Sequence, residues 1–315
     1  MAFVVHLLHL TCNRWTILKV SASRMRLLLF SLFSLLTACA SFAAEPLRVS
    51  AFSSVLAEIA SRVGGGEVAV TSHVPAGSDP HEFEPKPSDL KTVAKADLVL
   101  LSAKHLEGYV GKLKEASGGK VPVLEVGAQL PSLWLEGESK NAREEDPHWW
   151  HSVENMRKAA KVVGAGLIAA RPEQKGVFSA NLEVYTTELT ALQKWARVKV
   201  AELPRDKRKL VTSHDALQYF AKEYGFAVYP VTGLTASEQP SSRQVADLLK
   251  TIKAQKVKAV FAEDTANPKV LRQITAETGA ILGGQLWVDG LGTGAAGTYE
   301  GMMRHNVTTI VDALK

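Results

Sequence analysis

Beyond its first 44 residues, this chain alternates short β-type runs with helical ones, then repeats that rhythm after one long helical stretch. This alternation restricts the fold more than any other feature, because neighbouring parallel strands need crossover connections that short helices supply. In the first half, strands are expected over 47–51, 68–72, 96–101 and 121–126. The third of these, Ala96-Asp97-Leu98-Val99-Leu100-Leu101, is nearly all apolar, as in a parallel sheet covered on both faces. Val55-Leu56-Ala57-Glu58-Ile59-Ala60 has helical spacing and stops at Gly64-Gly65-Gly66, Ser88 is expected to cap a short helix, and a helix over 107–116 ends at Gly118-Gly119. In the second half, strands are expected over 209–212, 227–231, 258–262 and 285–288, and helices over 215–224, 241–255, 268–278 and 298–314. Ser152 with nearby Glu154 starts a helical pattern that runs to about Leu203 and is interrupted at Arg171-Pro172.

The piece from Pro172 to Leu203 is long for a crossover helix and reads as a strut, and 315 residues suit two lobes better than one core. The expected architecture is therefore α/β: two lobes, each a mostly parallel four-stranded sheet flanked by helices, joined by a long linker helix. The boundaries that follow are a leader over 1–44, an N-terminal lobe over 45–171, a linker over 172–203 and a C-terminal lobe over 204–315. No solenoid-type repeat is visible.

Residues 1–44 read as a targeting segment. Met25-Arg26 precedes the apolar run 27–36, which is too short to span a bilayer comfortably, and Ser41-Phe42-Ala43 offers small residues at a cleavage position. Leu36-Thr37-Ala38-Cys39 also resembles a bacterial lipobox, which would place a lipid on Cys39 instead; both readings export the protein. The residues before Met25 are either an upstream extension from a misplaced start or part of a longer leader. Both cysteines, Cys12 and Cys39, lie in this segment, so the body has no disulfide and no thiolate ligand. Of the formal charge of +5, Arg14, Lys19, Arg24 and Arg26 belong to the leader, which has no acid. The remainder is close to neutral and shows no clustered basic face, which excludes nucleic acid as a partner.

A metal site in the body must then be built from His, Asp and Glu. The tripeptide Asp-Pro-His occurs twice, at Asp79-Pro80-His81 and Asp146-Pro147-His148, each in a turn-rich loop. Asp-Pro bends the chain and fixes one φ, so the following imidazole is held rather than free. Ligands of doubly wound sheets gather at the carboxyl ends of the strands. His81 follows the second strand, His148 the fourth, His214 the stretch Leu210-Val211-Thr212-Ser213, and Asp289 the pair Trp287-Val288. Three imidazoles and one carboxylate make a closed tetrahedral set suited to Zn²⁺, placed between the lobes.

From about Leu47 to its end the chain resembles the cluster A-I (zinc/manganese) solute-binding proteins of bacterial ABC transporters. The resemblance is carried by Gly77-Ser78-Asp79-Pro80-His81-Glu82-Phe83-Glu84-Pro85, Asp146-Pro147-His148-Trp149-Trp150, Ser213-His214-Asp215-Ala216-Leu217-Gln218-Tyr219-Phe220, Glu238-Gln239-Pro240-Ser241 and Val288-Asp289-Gly290-Leu291-Gly292. It implies that His81, His148, His214 and Asp289 are the metal ligands, that one rigid helix joins two lobes, and that the ion is delivered to a membrane permease. Two departures bear on the cargo. Zinc-specific members often carry a His-rich acidic loop before the second ligand, whereas residues 136–145 here are acidic without histidine. Manganese-type members often have Glu at the third ligand, where this chain has His214. Nitrogen-rich sets favour Zn²⁺ over Mn²⁺, so zinc is expected and manganese is the alternative.

His151 is either a spare ligand or, beside Trp149 and Trp150 at a helix start, a residue behind the ligands or at the surface. His73, His105 and His305 are expected to be ordinary packed or surface residues, Glu82 and Glu84 to solvate their loop or bond backbone amides rather than act as a general base, and Trp149, Trp150 and Trp287 to wall the cleft. The sequence thus predicts a monomeric, exported, periplasmic or lipid-anchored zinc-binding protein of an ABC importer. A secreted zinc hydrolase is disfavoured, since four protein ligands leave no water position and no HExxH helix is present. A surface adhesin rests only on the lipobox.

Overall fold

The computed structural model describes residues 45–136, 143–235, 239–263 and 268–315. The expectations for the leader and Cys39, for the middle of the acidic loop and for Glu238 lie outside the described residues.

Strand β1 (Leu47–Ala51) leads into helix α1 (Ser54–Gly64). Ser53 caps α1 by accepting from the Val55 N–H, a contact of the kind worth about 1 kcal/mol. Val55, Leu56, Ile59, Ala60 and Val63 fall on its buried stripe, and Gly65 ends it at a positive φ of 57°. After β2 (Val68–Ser72) comes α2 (Pro87–Val93). Its capping position is Lys86 and not Ser88, because Pro87 suits the first helical position and Asp89 accepts from the Lys86 N–H at 2.7 Å.

Strand β3 (Leu98–Leu101) is buried along its whole length. Helix α3 (Val110–Ala116) begins three residues later than expected. Ala103, Lys104 and His105 all take positive φ, and the Glu107 carboxylate accepts from the Ser102 and Ala103 N–H groups, which closes a turn there rather than a helix. Strand β4 (Val123–Glu125) follows.

The segment read as a polar loop holds an antiparallel pair, β5 (Trp134–Glu136) and β6 (Arg143–Glu145). The Lys104 ammonium, itself buried, donates to Glu145 at 2.8 Å and to Ser132, so an ion pair anchors strands with little apolar content. Helix α4 (Val153–Ala170) starts at Ser152, whose hydroxyl accepts from the Asn155 N–H as its Ser-x-Glu pattern suggested. Pro172 interrupts the pattern, and α5 (Lys175–Val200), at 26 residues the longest helix among the described residues, spans about 39 Å. It buries Phe178, Tyr185, Leu189, Leu192, Ala196 and Val200 at helical spacing.

The second half holds β7 (Lys209–Thr212), α6 (Gln218–Tyr224), β8 (Ala227–Pro230), α7 (Ser242–Gln255), β9 (Ala259–Glu263), α8 (Pro268–Thr278), β10 (Ile281–Leu286) and α9 (Tyr299–Leu314). Ser241 caps α7 and Thr298 caps α9. Strand β10 starts four residues before its expected position. Gly283-Gly284 weakens the strand signal there, and the register with β9 shifts between Leu282 and Gln285.

The first sheet has the order β2-β1-β3-β4 and the second β10-β9-β7-β8, and every pairing within them is parallel. Read from its other edge, the second sheet is wound like the first. Helix α5 packs on α1 and α4 of the first half and on α9 of the second. One buried apolar cluster continues from Leu47 to Leu314 through these helices, so Pro46–Lys315 forms a single unit. Among the described residues, no helix is long and apolar enough to cross a membrane.

Candidate metal centre

The two Asp-Pro-His tripeptides fold alike. Asp79 Oδ1 accepts from the His81 N–H at 2.8 Å, and Asp146 Oδ1 accepts from the His148 N–H at 2.9 Å. Each aspartate thus closes a turn on the backbone two residues on, and that turn aims the histidine. His214 stands two residues past β7, where the Thr212 hydroxyl donates to its carbonyl at 2.9 Å. Asp289 stands past β10 in a loop pinned from the first half. The Trp150 and His151 rings donate to the Val288 carbonyl at 2.9 and 2.7 Å, Gly77 donates to the Leu291 carbonyl, and Leu291 donates to Ser54.

These four loops bring His81, His148, His214 and Asp289 together, with one ligand atom from each lying within 4.8 Å of all the others. His81 and His148 meet Nε2 to Nε2 at 3.1 Å, and Asp289 Oδ1 lies 3.3 Å from His214 Nε2 and 4.0 Å from His148 Nε2. Four donors about 2.0–2.2 Å from one tetrahedral cation stand roughly 3.3–3.6 Å apart, so the 3.1 and 3.3 Å pairs are already near that spacing and the wider ones must draw in to close on an ion. His148, His214 and Asp289 are buried, and His81 is partly exposed at the edge.

The outer ring nitrogens show which atoms face the centre. Asp146 Oδ1 accepts from His148 Nδ1 at 2.8 Å, and Glu263 Oε2 accepts from His214 Nδ1 at 2.6 Å. Both rings therefore present Nε2 inward. The short His81–His148 contact is then a hydrogen bond only when His81 carries its proton on Nε2, the place a cation would take. His214 Nε2 is buried and faces Asp289 Oδ1 at 3.3 Å. An inward-facing imidazole nitrogen beside a carboxylate fits a divalent cation.

The electrostatics differ from ligand to ligand. Burial pushes His81 down to about 4, against a smaller upward pull from Asp289, and pushes His148 well below the usual imidazole range. Burial acts the same way on His214, but the Glu263 and Asp289 carboxylates outweigh it and hold that ring well above the ordinary value. Asp79 is raised to about 6 by burial and by the Asp289 charge.

Other residues singled out in the sequence lie away from the cluster. His151 is buried and bonded to the Val288 carbonyl, so it supports the Asp289 loop. His73 stacks on Phe52 at 4.4 Å, while His105 and His305 are exposed. Glu84 pairs with Lys112 at the surface, and Glu82 is exposed. Trp149 and Trp150 are core residues rather than a lining, although the edge of Trp150 meets the His148 ring with centroids 5.4 Å apart. Sequence reasoning missed Glu263. Its only signal was a charged residue closing the apolar run Ala259-Val260-Phe261-Ala262.

The family model for the periplasmic component A of the zinc-uptake complex matches residues 49–313. The manganese-binding lipoprotein MntA of Bacillus subtilis is 35% identical over 305 residues, covering 92% of this chain and 98% of that protein. The manganese ABC transporter substrate-binding lipoprotein PsaA of Streptococcus anginosus is 30% identical over 301 residues, covering 91% of this chain and 97% of that protein. Among solved structures, the periplasmic zinc-binding protein TroA of Treponema pallidum superposes with a TM-score of 0.79 at 29% identity, covering 86% of this chain and 99% of that one.

Proposed function

The chain belongs to the family of periplasmic zinc-uptake component A proteins, the metal-binding substrate-binding proteins of ABC transporters, and from that premise we propose that it binds a single zinc ion through His81, His148, His214 and Asp289. The observation that carries this reading is the convergence of three imidazoles and one carboxylate, from four separate loops, within 4.8 Å. Nitrogen-rich coordination favours Zn²⁺ over Mn²⁺. The manganese reading has its own support, because relatives alike over nine-tenths of this chain are named as manganese-binding.

The proposed cycle has three parts. The exported protein, soluble in the periplasm or lipid-anchored through Cys39, captures the ion as a monomer. The halves act as two lobes over 45–171 and 204–315, with 172–203, which contains α5, as the linker between them. A membrane permease then takes the ion. No catalytic step belongs to this cycle, since four protein ligands fill a tetrahedral ion and leave no position for an activated water. Metal analysis of protein purified from its own exported compartment, followed by titration of the stripped form, tests the assignment. One tightly held zinc per chain that manganese does not displace supports it. Zinc readily displaced by manganese changes the cargo, and absence of stoichiometric metal removes the site.

A further inference from the structure

Glu263 ends β9 with its side chain fully buried beside the four proposed ligands. Its two oxygens do different work. Oε2 accepts from His214 Nδ1 at 2.6 Å, while Oε1 accepts from the Ser213 backbone N–H at 2.9 Å and lies 3.4 Å from the His214 N–H. The carboxylate therefore holds both the ring of His214 and the backbone that carries it. It is offset from the cluster itself and reaches the centre only through that ring. On the first-half side, Asp146 does the same for His148.

We propose that Glu263 is a positioning residue that fixes the tautomer and direction of His214, makes its ring a more anion-like donor, and thereby extends the site's tolerance from zinc toward manganese. This inference rests on the four-ligand reading above. The physical reason lies in what each ion asks of a donor. Zinc accepts neutral imidazole readily, whereas manganese favours carboxylate and other oxygen donors, so a set with one direct carboxylate is poor for it. An imidazole whose outer N–H is held by a buried carboxylate is more basic at its inner nitrogen, and part of the carboxylate's charge is expressed at the metal. Backed by Glu263, His214 stands partway between a histidine and an anionic ligand.

Glu263→Gln tests this directly. Both oxygens of Glu263 act as acceptors, and an amide offers one acceptor and one donor, so either the ring or the Ser213 N–H loses its partner. Glu263→Asp keeps the charge at shorter reach and serves as the conservative rescue. Zinc and manganese are titrated separately into stripped wild type, both variants and His214→Ala, and nitrogen-15 NMR of the zinc-loaded proteins reads the His214 tautomer. Loss of a residue that orients a metal ligand weakens binding by about 10–100-fold. For Glu263→Gln the zinc loss should lie near the low end of that range and the manganese loss near the high end, with Glu263→Asp recovering part of the manganese binding. Equal losses for the two metals with an unchanged tautomer, or no loss for either, would overturn the proposal. If the Gln variant does not fold, the zinc-loaded wild type still decides: a strongly deshielded Nδ1 proton on His214 supports the contact, and its absence removes it. If His214→Ala binds like wild type, the four-ligand reading itself fails. If His214→Ala loses the metal while Glu263→Gln binds both ions like wild type, only the role of Glu263 fails.

Discussion

The side chains at the proposed metal centre are held from behind before they are asked to hold anything in front. Asp79 and Asp146 fix the backbones of His81 and His148, while Asp146 and Glu263 also fix the rings of His148 and His214. Replacing His81, His148 or His214 by alanine deletes a proposed ligand rather than its support. Each should therefore weaken zinc binding by more than the roughly 100-fold upper range for supporting residues, and calorimetric titration checks this; unchanged affinity in all three would remove the site. A second prediction concerns Glu107, which holds the turn after β3 from a buried position. Burial raises its carboxyl to about 7 against the accepted N–H bonds that lower it. The folded chain then binds a proton that the unfolded chain has lost from about pH 4.5 upward. Its contribution is thus complete below that pH and is lost as pH rises through about 7, a change of about 3 kcal/mol. Urea unfolding at pH 5 and pH 8 should show wild type losing ground to Glu107→Gln; the same difference at both pH values would refute it. All four proposed ligands stood out in the sequence because each follows a recognisable strand, and two of them also repeat a tripeptide. Glu263 and Glu107 did not, since a single carboxylate beside an apolar run does not reveal which backbone amides or rings it will meet.

Elements were legible where apolar spacing and capping residues agreed, as at β1, α1, α4 and α7. They were misread where tertiary contacts overrode local signals. The β5–β6 pair has charged residues where a strand usually shows alternation, and the half-buried Lys104–Glu145 ion pair supplies what the pattern lacks. The delayed start of α3 has the same origin, a buried carboxylate that satisfies backbone donors outside any helix. Close approach between elements sets a sharper constraint at Gly127, in the turn after β4. A Cβ there would lie 2.1 Å from the Ser102 carbonyl oxygen and 2.9 Å from Trp149 Nε1. That carbonyl accepts from both the Gly127 N–H and the Trp149 ring, and Trp149 adjoins His148 in the chain. Gly127→Ala should therefore destabilise the fold by about 1–3 kcal/mol, as overpacked sites do, and also weaken metal binding by shifting the loop of His148. Denaturant unfolding of the stripped protein and zinc titration read the two effects separately. A variant as stable as wild type would show that the two segments can part at no cost.

The whole molecule joins its halves by more than α5. Ser152 donates to Glu223, Leu133 donates to the Tyr219 hydroxyl, Tyr299 donates to the Trp150 carbonyl, and the Asp289 loop is bonded to Ser54 and Gly77. These bonds cross between segments far apart in sequence, and several lie within a few residues of a proposed ligand. The arrangement therefore already gathers the four donors within 4.8 Å of one another, so a cation needs local closure at the site and little large-scale motion. Two measurements follow from this preorganisation. Scattering curves of the stripped and zinc-loaded protein should superimpose, and a marked compaction on loading would show that the bonds across the halves do not hold in the metal-free state. Thermal unfolding should nonetheless respond strongly, because an ion bound only by the folded chain adds about 4 kcal/mol when its free concentration is 1,000 times the dissociation constant. For a unit of this size that amounts to a rise in melting temperature on the order of 10 °C. The rise should occur in one cooperative step, since one apolar cluster runs through both halves. Zinc that raised only one of two separate transitions would mean that the halves fold independently and that the ion belongs to one of them.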